Sequence, residues 1–353
     1  MEQRGETEAR GAGLEQGRKP TLRTIAAETG FAVTTVSRAL SGDPRISAKT
    51  RRVVANAAAA MGYVPDRAAQ RLRTGRTKVI SLLINPEHEY LGFTDELLAG
   101  IVTVLRDTGY SVTIIPDFID GDRTEPIRNI LRNNLADGLI FSRTECFDPR
   151  VRLLLEAKFP FITHGRTEFT TPHPYVDYDN EAFARLAVER LVARGCTRLS
   201  IILPSARFTF SQHLRYGFLS GVRAAGVAYD MVEDVELGAA PDALTRALCA
   251  RLRGPEPPDG LVCVGEVVAL AALAALQDTG GRLGEDLHLV AKRASPVFDL
   301  LRPRIDTLYE DVRATGEEIG RLLLRRIQGE PVETLVHVQD PIGGFEAMPP
   351  AAR

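Results

Sequence analysis

Apolar positions recur at helical spacing near the start of this chain and change to short unbroken runs after residue 78. Leu22, Ile25 and Ala26 give one stretch an apolar face, and Val36 with Leu40 give a second. Gly30 lies between them and can adopt the positive φ of a sharp helix-ending turn, after which Phe31 tucks inward. The pattern predicts two short helices joined at Gly30, with Val33, Thr34, Ser37 and Arg38 left outward on the second. Short side chains beside one long cation suit a helix-turn-helix, whose second helix enters a major groove. An ordinary helical hairpin has the same pattern, and helix-Gly-helix alone favours the hairpin. A third helix is predicted from an N-capping Ser47 to about Met61, burying Val53, Val54, Ala57, Ala58 and Met61 and ending at Gly62.

Beyond Lys78 the grammar is different. Apolar runs at residues 79–84, 112–115, 139–141, 161–163, 199–203, 261–264 and 287–290 read as strands, with helical stretches between them. Five helices are expected to end at Gly109, Gly195, Gly226, Gly280 and Gly329, and Gly after a helix followed by a strand is the βα pattern of a parallel sheet. About ten strands are too many for one small α/β unit, so two doubly wound lobes are expected. A ligand would sit between them, at the carboxyl ends of the strands.

Composition refines this picture in one respect. The 353 residues are 44% hydrophobic and 25% charged with a formal net charge of −2, as in a soluble globular protein. Yet residues 20–77 hold ten basic side chains against three acidic ones, a net +7, which leaves −9 for the remainder. A basic head on an acidic body points to a polyanion partner. Cys146, Cys196, Cys249 and Cys263 form no CxxC pair and read as free thiols of a reducing compartment. No stretch approaches the roughly 18 apolar residues of a membrane span. Residues 1–19 lack an apolar signal core and read as a disordered tail, so a cytoplasmic protein is expected. The six histidines are scattered, and no HExxH, GxSxG, P-loop or GxGxxG after a strand occurs. No catalytic group, metal set or cofactor is therefore assigned, and an enzyme is not expected.

Residues 63–77 connect the two patterns. Pro65 stops the preceding structure, and Asp66 can cap a helix of about two turns that ends near Gly75. So short a helix is not stable alone in water and needs DNA, a partner subunit or both. Its basic residues suit phosphates, and Leu72 suits insertion between base steps in the minor groove. A flexible charged linker is the other reading of the same residues.

Thr35-Val36-Ser37-Arg38, Ser47-Ala48-Lys49-Thr50-Arg51, Gly62-Tyr63-Val64-Pro65 and Leu72-Arg73-Thr74-Gly75-Arg76-Thr77 together resemble the head and hinge of the lactose-repressor (LacI/GalR) family. Order and spacing match over nearly sixty residues, far more than a lone helix-turn-helix offers. The resemblance implies base contacts from Val33, Thr34 and Arg38, phosphate contacts from Thr35, Ser37, Ser47, Thr50 and Tyr63, and a minor-groove wedge at Leu72. It also implies a homodimer on a pseudo-palindromic operator. Ala32 departs from the family's usual capping Ser, Thr24 from its common Asp, and Gln70 from a frequent Arg.

More loosely, the resemblance covers the body as a type I periplasmic-binding-protein-like fold, carried by Asp137-Gly138-Leu139-Ile140, Val176-Asp177-Tyr178-Asp179-Asn180 and Pro258-Asp259-Gly260. Such folds cross between lobes three times, here expected near Tyr175, Asp306 and Glu330. The first lobe would then take residues 78–174 and about 306–328. The effector site departs from the family: Gly265-Glu266 stands in place of Asn-Asp, Ala291-Lys292-Arg293 in place of Gly-aromatic-Asp, and Leu214 in place of an Arg. Lys292 and Arg293 would suit an anionic ligand, or would pair with Glu266 and leave a sugar to other residues. His164 is expected to be a hydrogen-bonded structural residue, although it could face the cleft. The effector candidates are Glu87, Phe93, Ser142, Arg143, Phe210, Gln212, Glu266 and Arg293, with the two phenylalanines as stacking faces.

The expectation is therefore an N-terminal all-α helix-turn-helix head at residues 20–64, a hinge helix and linker at 65–77, and a two-lobed α/β effector-binding and dimerisation domain at 78–353. Its function would be that of a transcriptional regulator, most simply a repressor, controlled by a sugar-like or anionic sugar effector. A cytoplasmic solute sensor without specific DNA recognition is the alternative.

Overall fold

The computed structural model describes residues 20–64, 71, 74–85, 92–232, 235, 239–341 and 345. The chain divides into two compact units, Met1–Arg76 and Thr77–Arg353.

In the first unit, α1 (Leu22–Thr29), α2 (Val33–Leu40) and α3 (Ala48–Ala60) surround a small core. Two threonines cap α1 reciprocally: Thr24 N–H donates to Thr21 Oγ1 at 3.3 Å and Thr21 N–H to Thr24 Oγ1 at 2.7 Å. Gly30 ends the helix with φ 71°. Ile25, Val36, Ala39, Val54 and Ala58 are buried together, with Leu22, Phe31, Leu40, Ile46, Met61 and Tyr63 packed around them. The expectation that Val53 is buried was wrong, since it is 42% exposed. The inward stripe of α3 runs through Val54, Ala57, Ala58 and Met61, and a residue one position earlier lies about 100° round the helix from that stripe.

The second unit contains two parallel sheets. The first has the order β11-β5-β4-β3-β1-β2, from β1 (Val79–Ile84), β2 (Ser111–Pro116), β3 (Gly138–Phe141), β4 (Phe161–His164), β5 (Tyr175–Tyr178) and β11 (Val336–Gln339). The second has the order β10-β9-β8-β6-β7, from β6 (Arg198–Ile202), β7 (Ala228–Val232), β8 (Gly260–Cys263), β9 (His288–Arg293) and β10 (Asp306–Tyr309). Among the described residues, eight α-helices separate the strands: α4 (Phe93–Leu105), α5 (Glu125–Asn133), α6 (Pro149–Glu156), α7 (Asn180–Ala193), α8 (Thr209–Ala225), α9 (Pro241–Leu252), α10 (Glu266–Asp278) and α11 (Val312–Ile327). Central strands are buried on both faces, as β3 and β8 show over their whole length, so they read as unbroken apolar runs. All five predicted helix-ending glycines have positive φ.

The lobe boundaries differ from expectation by one strand each. β5 pairs with β4 and belongs to the first lobe, while β10 pairs with β9 and belongs to the second. β11 returns to pair with β5. The crossings therefore follow Tyr178, Tyr309 and Gln339. Each falls at the carboxyl end of a strand, and after β5 and β10 Asp179 and Asp311 cap the first turn of the next helix by accepting from Ala182 N–H and Ala314 N–H, both at 2.9 Å. The helix α11 meets α4 backbone to backbone at two glycines: a Cβ at Gly100 would meet Arg313 O at 2.2 Å, and one at Gly316 would meet Leu97 O at 2.2 Å. Only glycine permits so close an approach.

Candidate functional site

Two regions hold the residues singled out by sequence. On α2 of the first unit, Val33, Thr34 and Arg38 are exposed on one face, while Val36 and Ala39 on the other are buried. Val33 is 41% exposed although apolar. Thr35 and Ser37 are half-buried beside that face. Ser47 and Thr50 meet at the start of α3, with hydroxyls 2.8 Å apart and Thr50 N–H donating to Ser47 Oγ at 3.1 Å. The N-terminus of a helix carries unsatisfied N–H groups and a positive dipole end, so this hydroxyl pair stands where an anion is favoured. Tyr63 packs partly against the small core. Of the expected hinge, Arg71 and Thr74 are helical and Gly75 N–H closes the turn on Arg71 O at 2.8 Å. The proposed wedge, Leu72, lies outside the described residues.

In the second unit, the carboxyl ends of β3, β4, β5, β8, β9 and β10 converge on one cavity, with an empty volume of about 720 Å³ that is partly open to solvent. Parallel strands of both lobes end there, which is the position such sheets provide for a ligand. Phe93, Ser142, Arg143, Phe210 and Glu266 of the sequence candidates line it. Glu87 lies outside the described residues. Two further candidates are not part of the wall. Gln212 donates its side-chain amide to Ala206 O at 2.7 Å, which ties it to its own helix-leading loop. Arg293 is turned to Asp299 at 3.4 Å and to the ring of Tyr309 at 5.4 Å. Alternation along β9 explains this, because Lys292 occupies the cavity face and its neighbour must face the other way.

Sequence reasoning missed Asp177, Asn180 and Glu310 as wall residues. Lys292 Nζ lies 2.7 Å from Glu310 Oε2 and 3.2 Å from Asn180 Oδ1. Arg166 pairs with Asp177 at 2.6 Å. All three missed residues sit at or beside the lobe crossings, and displacing those crossings by a strand concealed them. His164 lines the cavity, with its ring 5.3 Å from that of Phe93 and its Nε2 3.8 Å from Glu310 Oε1. Its Nε2 is buried and has no hydrogen-bond partner, contrary to the satisfied structural histidine expected. Burial, with Lys292 nearby, lowers the imidazole's pKa against the opposing pull of Glu310 and Asp177. The side chain is therefore neutral at pH 7.

A buried ionic network fixes the first-lobe wall. Arg150 is fully buried, bonds Asp148 at 2.7 Å and Asp117 at 2.7 Å, and donates to Ser142 O at 3.2 Å and Arg143 O at 3.0 Å. Arg123 joins Asp117 at 2.7 Å and Glu145 at 3.1 Å. Burial pushes the Asp148 carboxyl up, but Arg150, the Glu145 amide and Arg123 more than offset it, and its pKa ends below the ordinary value. Held this way, Arg143 occupies the left-handed region with φ 54°. The wall is preorganised.

Residues 21–66 match the description "Bacterial regulatory proteins, lacI family", and residues 188–342 match "Periplasmic binding protein-like domain". The HTH-type transcriptional regulator CelR of Thermobifida fusca is 29% identical over 326 residues, covering 91% of this chain and 95% of its own. The regulator AglR of Rhizobium meliloti is 29% identical over 315 residues, covering 86% of each. Among solved structures, a CelR–cellobiose complex superposes with a TM-score of 0.65 at 26% identity, covering 93% of this chain and 99% of that one. The lac repressor dimer bound to operator and the anti-inducer ONPF superposes with a TM-score of 0.78 at 21% identity, covering 93% and 99%, and shows the same fold. No helix among the described residues is long and apolar enough to cross a membrane. With a lacI-type helix-turn-helix ahead of a two-sheet periplasmic-binding-protein-like body, the chain belongs to the LacI family, whose members are DNA-binding transcriptional regulators and not enzymes.

Proposed function

We propose that this protein is a sequence-specific repressor whose affinity for operator DNA is set by a small carbohydrate, or a derivative of one, held between the two lobes. The observation that carries the DNA-reading half is the outward trio Val33, Thr34 and Arg38 on a helix whose opposite face is buried. Arg38 can donate two hydrogen bonds to the acceptor edge of guanine, and Val33 offers an apolar contact to a thymine methyl. Thr35, Ser37, Ser47, Thr50 and Tyr63 then hold phosphates and set the register. Two copies in a two-fold dimer would place two such helices in successive major grooves. Their hinge helices would pair in the central minor groove, with Leu72 as wedge.

The effector half rests on the cavity at the strand ends of both lobes. Relatives support the ligand class and the direction: one solved neighbour is a cellobiose complex, and other relatives are named ribose operon repressor and transcriptional repressor CytR. An effector that weakens operator binding must itself bind less tightly to the DNA-bound form. The test is selection of duplexes from a random pool by the full chain. A pseudo-palindromic consensus that is lost in the double variant Thr34→Ala, Arg38→Ala supports the reading. Retention of random duplexes without preference would defeat it.

A further inference from the structure

Where the second unit begins, one carboxylate holds the chain. Asp137, the residue before β3, accepts on Oδ1 from Thr77 N–H at 2.7 Å and Thr77 Oγ1–H at 2.9 Å, and on Oδ2 from Lys78 N–H at 3.1 Å. Thr77 Oγ1 in turn accepts from Val79 N–H at 3.1 Å, and Asp137 N–H donates to Val79 O at 2.8 Å. The start of β1 and the residue before β3 thus grip each other. The grip is itself seated, because a Cβ at Gly138 would meet Ile327 Cδ1 at 2.9 Å and Leu323 Cδ1 at 3.1 Å. The last turns of α11 therefore rest on the residue after Asp137. The other end of α11 follows Glu310 and Asp311 at a lobe crossing, where Glu310 lines the cavity.

The second lobe repeats this device, and the repeat shows what is particular to the first. Asp259, the residue before β8, accepts from Thr197 N–H at 2.8 Å, Thr197 Oγ1–H at 2.9 Å and Arg198 N–H at 2.9 Å at the start of β6. There the gripped chain arrives from α7 of the same lobe and is already fixed on its other side. In the first lobe the gripped residues are those at which the chain passes from one compact unit to the other. The backbone differs as well. Lys78 has φ 56°, in the left-handed region that a side chain enters at a cost, and its counterpart Arg198 does not. Lys78 is held there from several sides: its O accepts from Ser111 N–H at 3.0 Å, and its Nζ donates to Thr108 O at 3.3 Å and lies 4.2 Å from the centre of the Tyr110 ring. Strain enforced by so many contacts marks a backbone direction that the fold maintains.

We propose that Asp137 is a positioning residue for operator binding: by holding Thr77 and Lys78 in one geometry it fixes where, and in which direction, the chain leaves the body. Asp137 touches no DNA in this scheme and acts through the chain it holds. The proposal rests on the regulator reading and adds to it a residue outside both the helix-turn-helix and the cavity. A two-fold dimer needs its two heads at one spacing along the duplex. A chain that leaves the body in a fixed geometry loses less freedom on binding than one that leaves it loosely. Releasing the grip therefore weakens binding to the selected duplex and leaves intact the basic side chains that hold any duplex.

The experiment compares Asp137→Ala with Asp259→Ala in the full chain, since each removes the same three hydrogen bonds from one lobe. On the duplex selected by the wild type, fluorescence anisotropy should show Asp137→Ala weakened roughly five- to thirtyfold, the range for a residue that acts without touching the ligand. Asp259→Ala should stay within about twofold. Random duplex should bind both variants as it binds the wild type. Equal losses of the two variants on the selected duplex, unchanged affinity in a folded Asp137→Ala, or an equal loss on random duplex would each overturn the proposal. Asp137→Asn keeps an acceptor for part of the grip and should show a smaller loss in the same direction, which decides if the alanine variant does not fold. Amide hydrogen exchange of the wild type gives a reading that needs no variant: Thr77 and Lys78 should be protected like the rest of β1, and free exchange there would also overturn the proposal. A chain that meets one of those outcomes while still selecting its duplex loses this proposal and keeps the regulator reading. A wild type without any duplex preference loses the regulator reading instead.

Discussion

The two units use their polar residues in opposite ways. In the head, Val33, Thr34 and Arg38 project from one face of a single short helix, and the core beneath them is built from a handful of side chains. In the body, the cavity wall draws on both lobes, and its carbonyls and carboxylates accept from a buried arginine and a half-buried lysine before any ligand arrives. A surface meant for DNA can leave its groups exposed to water at little cost. A buried wall cannot, because each polar group shielded from water needs a partner. The lesson is that function in the head is read from what is exposed, and in the body from what is buried and paired.

The sharpest way to break this contrast is to remove the body's buried cation. Arg150→Met takes the bonded cation from buried Asp148, leaves Asp117 to Arg123 alone, and should cost about 3–5 kcal/mol, the usual penalty for breaking a buried ion pair. Calorimetry should show the body's transition falling while that of the head stays in place. The reciprocal change is Ile25→Ala, at a fully buried head position, which should cost about 2–4 kcal/mol. Circular dichroism should then show early loss of a helical transition with sugar binding intact. If either substitution moves both transitions equally, the two units do not fold independently.

Arg38→Ala tests the exposed face itself. It should cost roughly 1–3 kcal/mol at one base position of the selected duplex and little elsewhere, measured by competition with single-base variants. Equal losses on every sequence would mean that Arg38 holds a phosphate. The smallest effect expected is one of pH. Burial lowers the pKa of His173 from 6.5 to about 4, so the folded body holds it neutral while the unfolded chain protonates. Its stabilising contribution is complete above the unfolded value and declines as pH falls from about 6.5 towards 4. Between pH 7 and 6 the loss is roughly 0.7 kcal/mol. His173→Gln should flatten the melting temperature over that unit, and an unchanged slope would place the titration elsewhere.

Much of the fold was legible because its signals are local. The capped helices at Ser47 and Gly30, the unbroken strand runs and the five helix-ending glycines each need only neighbouring residues to be understood. The lobe crossings were misplaced by a strand because pairing of β5, β10 and β11 is decided across distant segments, and nothing adjacent to Tyr175 or Asp306 records which sheet receives them. The same displacement hid Asp177, Asn180 and Glu310. Lys292 and Arg293 are neighbours of equal charge, and only the pleat of β9 shows which one faces the cavity. Arg150 was also invisible, since a buried arginine looks like a surface one until Asp117, 33 residues away, closes on it.

Occupancy of the cavity is held to control the reading of DNA, and one titration tests that directly. The full chain is titrated onto its selected duplex by fluorescence anisotropy, with and without a saturating concentration of the neutral sugar that binds best. The duplex affinity should fall severalfold in the presence of sugar, and the sugar affinity should fall by the same factor when duplex is bound. Identical duplex affinities at full occupancy would contradict a repressor governed by this cleft.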